Sequence, residues 1–387
     1  MTFKENEILL VNPTGGWDHK REDRYFFPIG LLYLQNYLHR YDIPSTIVDV
    51  KPDRLFPDDF RQRVRGYRPK VIGFTGSPFE RHTLHKYITD IKSYAPGALI
   101  VVGGPYFTAT AKDCLTHLTD VDVVVRGEGE ITLLELVRAF ALGNSFEAIA
   151  GITYRDKSGN IIENNDRPPA NRDDCEIDIR LIRDDSTYSP FVYLKNFEEE
   201  KILALPILLA RGCTKRCTFC FNNSSRFRSR SIPSIIEEVR LKREHFNCDY
   251  FWMVDPTFTL RTKFAYELCE ALRKHCPGIK WYCETRADCS LALLNEMAKA
   301  GCISIDFGLE SGSPKVLKAI RKDLDVSRIV EVTKECKKLG MRVLVFTMYA
   351  LPEETYDDFL RTMDILRWTG LSRHGLALIK VPSPPVR

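Results

Sequence analysis

ILALPILLARGCTKRCTFC, residues 202–220, runs from an apolar stretch straight into a loop that crowds Cys213, Cys217 and Cys220 into eight positions. The stretch 202–210 is almost uninterrupted in its apolar residues, as strands buried on both faces of a parallel sheet are. The spacing C-x3-C-x2-C brings three soft thiolates within reach of one metal centre. A structural zinc takes four ligands, and an iron–sulfur cubane normally takes four cysteines. No fourth Cys or His lies close by; His245 and Cys248 come only after an intervening helical stretch. Three cysteines on a cubane leave one iron open, and an open coordination site is where a substrate or cosubstrate binds. The plainer alternatives are a zinc site completed from afar or three core thiols.

Downstream of the loop the strand–helix rhythm continues. Strands are expected at 249–255 (DYFWMVD), 280–285 (KWYCET), 302–310 (CISIDFGLE), 342–351 (RVLVFTMYAL) and 376–382 (LALIKVP), with helices between them, as at 231–246 and 262–276. With 202–210 these make six βα-type strands, too few for an eight-stranded barrel, so residues 201–387 read as a partial (β/α)6 barrel. Chemistry on such a scaffold belongs at the carboxyl ends of the strands, and the cysteine loop sits just past the first.

Residues 1–150 show the same alternation. EILLVNP (7–13), STIVDV (45–50), VIGFTG (71–76), LIVVGGP (99–105) and DVVVRGEG (122–129) read as buried parallel strands, with helical patterns at 30–41, 79–94 and 132–143. The pattern predicts an α/β, doubly wound Rossmann-like domain whose ligand lies outside the carboxyl ends of the strands. Those ends carry Asn12–Trp17, Thr75–Pro78, Gly103–Pro105 and Gly127–Glu130. Residues 151–170 read as a hairpin turning at Lys157–Asn160, and the charged, irregular stretch that follows to 200 reads as a connector.

A chain of 387 residues with 44% hydrophobic and 28% charged residues is an ordinary soluble globular composition. The net charge of +4 is mild and argues neither for nor against a nucleic-acid partner. The RFRSR run (226–230) lacks the interleaved aromatics of an RNA surface and reads as a solvated stretch flanking a helix. No apolar run is long enough to span a membrane, and the N-terminus has no signal-peptide core. The twelve cysteines therefore read as thiols or ligands in a reducing cytoplasm. Outside the triad they show no repeated ligand spacing, so most are expected to be buried structural thiols.

The loop RGCTKRCTFC resembles the cluster-binding loop of the radical S-adenosylmethionine (SAM) superfamily, which has an aromatic before the last Cys. CETRAD (283–288), GLESGSPKVLKAIRKD (308–323) and ALPEET (350–355) are similar to that superfamily's strand-end motifs, in the same order. The resemblance implies a [4Fe-4S] cluster held by Cys213, Cys217 and Cys220. Its open iron would chelate the amino and carboxylate groups of SAM, and electron transfer would yield a 5′-deoxyadenosyl radical. It places Phe219 near the adenine, Glu284 and Glu310 in the SAM pocket, and Asp255 facing the SAM amine. Lys322, or its neighbour Arg321, would pair with the SAM carboxylate. The alternative for each is a surface ion pair or a helix cap.

LLVNP, FPIGLLYLQNYL, VVGGPYFT and VVVRGEGE resemble the cobalamin-binding domain that precedes the SAM domain in one branch of the superfamily. Gly103 and Gly104 would then admit the nucleotide tail, with Thr75, Ser77 and Glu128 at the rim. The first loop, NPTGGWDHKRED, lacks the D-x-H-x-x-G spacing, so His19 is expected not to ligate cobalt. Methylthiotransferases carry a second cysteine triad in this domain, whereas here there is only Cys114. Relatives usually continue past the sixth strand, so the chain is expected to be a minimal or truncated member. The family implies a cobalamin-dependent methyltransferase acting on an unactivated carbon or on phosphorus via a 5′-deoxyadenosyl radical and methylcobalamin. Its partners would be a small-molecule or natural-product substrate and an electron donor such as flavodoxin or ferredoxin. The alternatives are a radical SAM enzyme whose Rossmann domain binds nothing, performing cyclisation, oxidation or rearrangement, and a non-catalytic metal-stabilised binding protein.

Overall fold

The computed structural model describes residues 3–13, 28–50, 57–76, 81–170, 192–193, 203–221, 226–371 and 376–380. Ser77, His19, most of the 171–200 stretch and the last seven residues lie outside them. The chain divides into two compact units, Met1–Pro190 and Phe191–Arg387.

The first unit runs β1 (Ile8–Asn12), α1 (Ile29–His39), β2 (Thr46–Asp49), α2 (Pro57–Tyr67), β3 (Val71–Thr75), α3 (Arg81–Tyr94), β4 (Leu99–Gly103), α4 (Pro105–Ala109), α5 (Ala111–His117), β5 (Val123–Val125), α6 (Gly129–Leu142), β6 (Ile152–Arg155) and β7 (Ile161–Glu163). Its sheet has the order β2-β1-β3-β4-β5-β6-β7. The first five strands are parallel, and the order reverses between β1 and β3, the switch point where such sheets bind ligands. Alternate side chains of one strand enter different cores. Leu9 and Val11 of β1 pack with Ile72, Ile100 and Val124, whereas Ile8 and Leu10 pack with Val71, Val101 and Val123. Both faces are thus covered, which is why these strands read as unbroken apolar runs.

The 151–170 hairpin forms and joins the first sheet. β6 pairs antiparallel with β5, and β7 with β6, extending the first sheet by two strands. Arg126, just past β5, explains the attachment. Its buried guanidinium donates to Thr153 Oγ1 (2.6 Å) and to the Asn164 carbonyl (2.6 Å), and pairs with Asp166 (2.9 Å). At the tip, the Asp156 carboxylate accepts from the Ser158 and Asn160 N–H groups.

The second unit runs β8 (Val192–Tyr193), β9 (Leu203–Leu208), β10 (Ala210–Arg211), β11 (Arg228–Ser229), α7 (Ile232–Phe246), β12 (Tyr250–Val254), α8 (Thr262–His275), β13 (Lys280–Arg286), α9 (Leu291–Lys299), β14 (Cys302–Glu310), α10 (Pro314–Ala319), α11 (Ser327–Lys338), β15 (Arg342–Tyr349), α12 (Tyr356–Thr369) and β16 (Leu376–Lys380). The sheet order is β16-β15-β14-β13-β12-β9-β8. The six expected strands are parallel neighbours. β8, from the stretch expected to be irregular, pairs antiparallel with β9 at the edge. Phe251, Met253, Trp281, Cys283, Ile305, Phe307 and Val345 share one core with helix residues such as Leu268, Leu294 and Val332. Each such side chain contributes about 1.5–3 kcal/mol by leaving water.

Arg230 corrects the expectation of a solvated basic stretch. It is 2% exposed, forms a charged pair with Glu238 of α7, and donates to the Leu208 carbonyl at 3.1 Å. Lys242, also buried, bridges Glu238 (2.6 Å) and the Pro206 carbonyl (2.7 Å). The network fastens α7 to β9, the strand that leads into the cysteine loop.

Candidate functional site

The cysteine loop leaves the sheet through Gly212, whose φ of +82° favours glycine. Its two ends are drawn together by the antiparallel pairing of β10 with β11. Within it the Cys220 N–H donates to the Cys217 carbonyl (3.1 Å), and the Thr218 N–H donates to the Ile320 carbonyl at the end of α10 (3.0 Å). Lys215 pairs with Asp288 (3.3 Å), which also takes the Arg286 Nε (3.0 Å) at the end of β13. The loop is therefore tied to the carboxyl ends of two neighbouring strands' connections.

Cys213 and Cys217 are buried and Cys220 is half-buried. Burial pushes the Cys217 thiol up, while the Lys322 and Arg286 cations pull it down and Cys213 and Glu310 add to the rise. Among the described residues, no group of three or more His, Cys, Asp and Glu side chains is arranged to hold a single metal ion. A cubane asks for something else, since each cysteine takes a separate iron. Three soft thiols on one anchored loop fit that group, since the metal itself deprotonates the thiols that coordinate it.

At the end of β14 the pairing with β15 shifts register between Gly308 and Glu310. Glu310 sits at φ +66°, and its Oε1 lies 2.6 Å from Lys322 Nζ. Both are buried, at 8% and 4% exposure. Gly308 makes the room: a Cβ there would come within 2.7 Å of both Glu310 Oε1 and Lys322 Nζ. Of the two candidate cations, Lys322 is the one turned inward; Arg321 is exposed.

Asp255, just past β12, is 6% exposed. Its Oδ1 accepts from the Thr257 N–H (2.8 Å), and its Oδ2 is buried with no hydrogen-bond partner among the described residues. Burial pushes its carboxyl up to about 7, with the Thr257 N–H pulling the other way. An orphaned acid oxygen at the ligand-binding end of a sheet fits a cationic group such as the SAM ammonium. Glu284 is half-buried on β13, opposite Asp306 of β14. Phe219 is 40% exposed, next to the exposed Phe221.

The sequence reading assigned no role to Lys215, Arg286 and Asp288, although RGCTKRCTFC contains the first and CETRAD the other two. Seven of the remaining cysteines, Cys114, Cys269, Cys276, Cys283, Cys289, Cys302 and Cys336, are buried, and burial raises the thiols of Cys269 and Cys289 to about 12.

In the first unit, Thr75, Gly103 and Gly104 lie together at the carboxyl ends of β3 and β4. Gly104 has φ +102°, and a Cβ there would lie 3.2 Å from Thr75 Oγ1. Glu128 precedes α6 and accepts from the Ala170 N–H (3.2 Å). A glycine-lined crest beside the switch point suits the close approach of a cofactor tail.

A family model described as the radical SAM superfamily matches residues 207–366, and one described as the B12 binding domain matches residues 24–137. The chain is 26% identical over 367 residues to an uncharacterized methyltransferase, PH0819, of Pyrococcus horikoshii, covering 93% of this chain and 77% of the relative. It is 25% identical over 426 residues to the cytidylyl-2-hydroxyethylphosphonate methyltransferase of Streptomyces wedmorensis, covering 96% and 79%. The fold is similar to that of the radical S-adenosylmethionine methyltransferase TsrM from Kitasatospora setae, solved with cobalamin and a [4Fe-4S] cluster bound. The TM-score is 0.77 at 17% identity, over 97% of this chain and 75% of that one.

Proposed function

The chain belongs to the radical SAM superfamily, in the branch that carries a B12-binding domain, and on that footing we propose that it is a cobalamin-dependent methyltransferase acting on an unactivated carbon or phosphorus of a small molecule. When bound, the cluster and SAM supply a 5′-deoxyadenosyl radical, and cobalamin supplies a methyl carrier. Everything else is the work of the chain. Cys213, Cys217 and Cys220 would hold the cluster by three irons and leave the fourth for SAM. Lys322 would take the SAM carboxylate, with Glu310 keeping its ammonium in place. Asp255 would accept the SAM ammonium on the oxygen that has no partner among the described residues. Near neutral pH that oxygen carries a proton for part of the time, and an arriving ammonium would displace it. Glu284 and Phe219 would complete the pocket on its polar and adenine sides. On the first domain Gly103 and Gly104 would admit the cobalamin tail, with Thr75 and Glu128 at the rim.

One observation carries this reading: the Thr218 N–H, inside the cysteine loop, donates to the Ile320 carbonyl at 3.0 Å, two residues before the Lys322 that pairs with Glu310. This supports a reading in which the cluster ligands and the anchors of an amino-acid zwitterion would sit side by side, as positioning a sulfonium for cleavage requires. An open iron also calls for a reducing compartment, the cytoplasm, and for a one-electron donor such as flavodoxin or ferredoxin. Among the described residues no helix is long and apolar enough to cross a membrane.

Anaerobic reconstitution followed by absorbance and EPR, with and without SAM and hydroxocobalamin, tests the proposal. The expected result is one oxygen-sensitive [4Fe-4S] cluster whose signal SAM changes, in a protein that retains cobalamin. Tightly held zinc, with no iron-dependent signal, would refute it.

A further inference from the structure

Glu310 adopts a backbone conformation that disfavours any residue with a Cβ. Something must hold it there. The turn that follows, Ser311–Gly312–Ser313, is fastened to two side chains of α12. The Gly312 N–H donates to Thr362 Oγ1 at 2.8 Å, and the Thr362 hydroxyl donates to the Asp358 carbonyl at 3.1 Å. The Ser313 hydroxyl donates to Asp358 Oδ1 at 2.7 Å, and the Ser313 N–H donates to Ser311 Oγ at 3.1 Å. Ser311, Ser313 and Thr362 are fully buried, and Asp358 is 3% exposed.

The contact is backbone against backbone. A Cβ on Gly312 would stand 2.6 Å from Thr362 Cα, so only glycine lets the turn come this close. Asp358 is itself fixed. Its Oδ2 accepts from the Thr355 hydroxyl (2.7 Å) and N–H (3.0 Å), and pairs with Lys315 (2.7 Å). Lys315, Ser313 and Thr355 hold its carboxyl well below the usual carboxylate range, so it stays an acceptor. Thr355 and Asp358 also form the capping box at the start of α12, and two bonds, from the Gly312 N–H and the Ser313 hydroxyl, carry that rigid helix end to the turn after Glu310.

We propose that Thr362 and Asp358 are positioning residues of the SAM site. Through the 311–313 turn they keep Glu310 in its left-handed conformation, and so present the Glu310–Lys322 pair to the amino-acid end of SAM. The inference rests on the radical SAM reading above. A purely structural role, stapling α12 to the sheet, would lower stability when lost and leave SAM binding alone.

Thr362→Val and Thr362→Ser in the reconstituted holoprotein separate the two roles. Valine keeps the shape and removes the acceptor for the buried Gly312 N–H; serine keeps the acceptor. The readout is the SAM concentration that changes the EPR signal of the reduced cluster, with iron content and retained cobalamin measured on the same samples. Thr362→Val should load iron and cobalamin as wild type does yet need about tenfold more SAM, the equivalent of ~1.4 kcal/mol for one unsatisfied buried donor. Thr362→Ser should restore the wild-type titration. A Thr362→Val protein with a lower unfolding midpoint but an unchanged SAM titration overturns the proposal. Should Thr362→Val fail to load iron, Ser313→Ala, which breaks the other anchor, takes the same titration with the same two outcomes. A wild-type signal that SAM does not move overturns the radical SAM reading itself, and the proposal with it.

Discussion

Asp255→Asn separates a carboxylate kept for a ligand from one kept for the fold. Burial moves this acid from 3.8 to about 7. At 1.36 kcal/mol per unit, an ionised Asp255 costs the folded chain up to ~4 kcal/mol above pH 7. Between these two values the folded chain holds the proton and the unfolded chain has released it. Stability from this group is therefore full below pH 3.8 and is lost as pH rises to about 7. Asparagine still accepts from the Thr257 N–H and carries no charge, so the variant lacks this slope. From pH 5 to pH 8 the wild type should lose about 2.7 kcal/mol that the variant keeps, or roughly 5–10 °C in unfolding midpoint for a unit of this size. Circular-dichroism melts of the metal-free chain at both pH values measure it. The same variant, reconstituted, should lose SAM in equilibrium dialysis, since a neutral amide is a poor partner for an ammonium. Parallel pH slopes in the two proteins, or SAM held equally by both, would refute the reasoning.

Further outcomes follow from the two-unit organisation and the buried ion network. Gly104→Leu, at φ +102° and facing Thr75, should abolish cobalamin retention and leave 5′-deoxyadenosine formation measurable, because SAM cleavage depends on the second unit. Cys217→Ala should do the reverse. Finding SAM cleavage stopped equally in both, with both folded by circular dichroism, would show one coupled site. Arg230→Met strips Glu238 of a buried partner and should lower stability by about 3–5 kcal/mol, read as an earlier urea midpoint; an unchanged midpoint would show that the network is not needed for the fold.

The strands were legible because both their faces are buried, so chemistry and period agreed along each run. CISIDFGLE matched β14 to the residue, and every other strand end lay within four positions of its expected place. Helix α2 hid because Phe60 and Val64, its buried residues, stand among Asp, Arg and Gln. The cysteine spacing showed the loop but not its anchors. Lys322 and Arg321 are equivalent in sequence, and only the turn at Arg321, φ +53°, decides which is buried beside Glu310. Arg230 looked solvated because its partners, Glu238 and the Leu208 carbonyl, meet it only through folding. Asp255 carried no signal beyond its place at a strand end; burial of its Oδ2 without a partner among the described residues emerges only in the fold.

The most direct test is to quantify what anaerobically reconstituted, cobalamin-loaded protein releases from SAM under dithionite. Both 5′-deoxyadenosine and S-adenosylhomocysteine should form, the first being absent in Cys217→Ala. Release of 5′-deoxyadenosine alone would contradict methyl transfer, and release of neither by a cluster-loaded protein would contradict the radical SAM assignment.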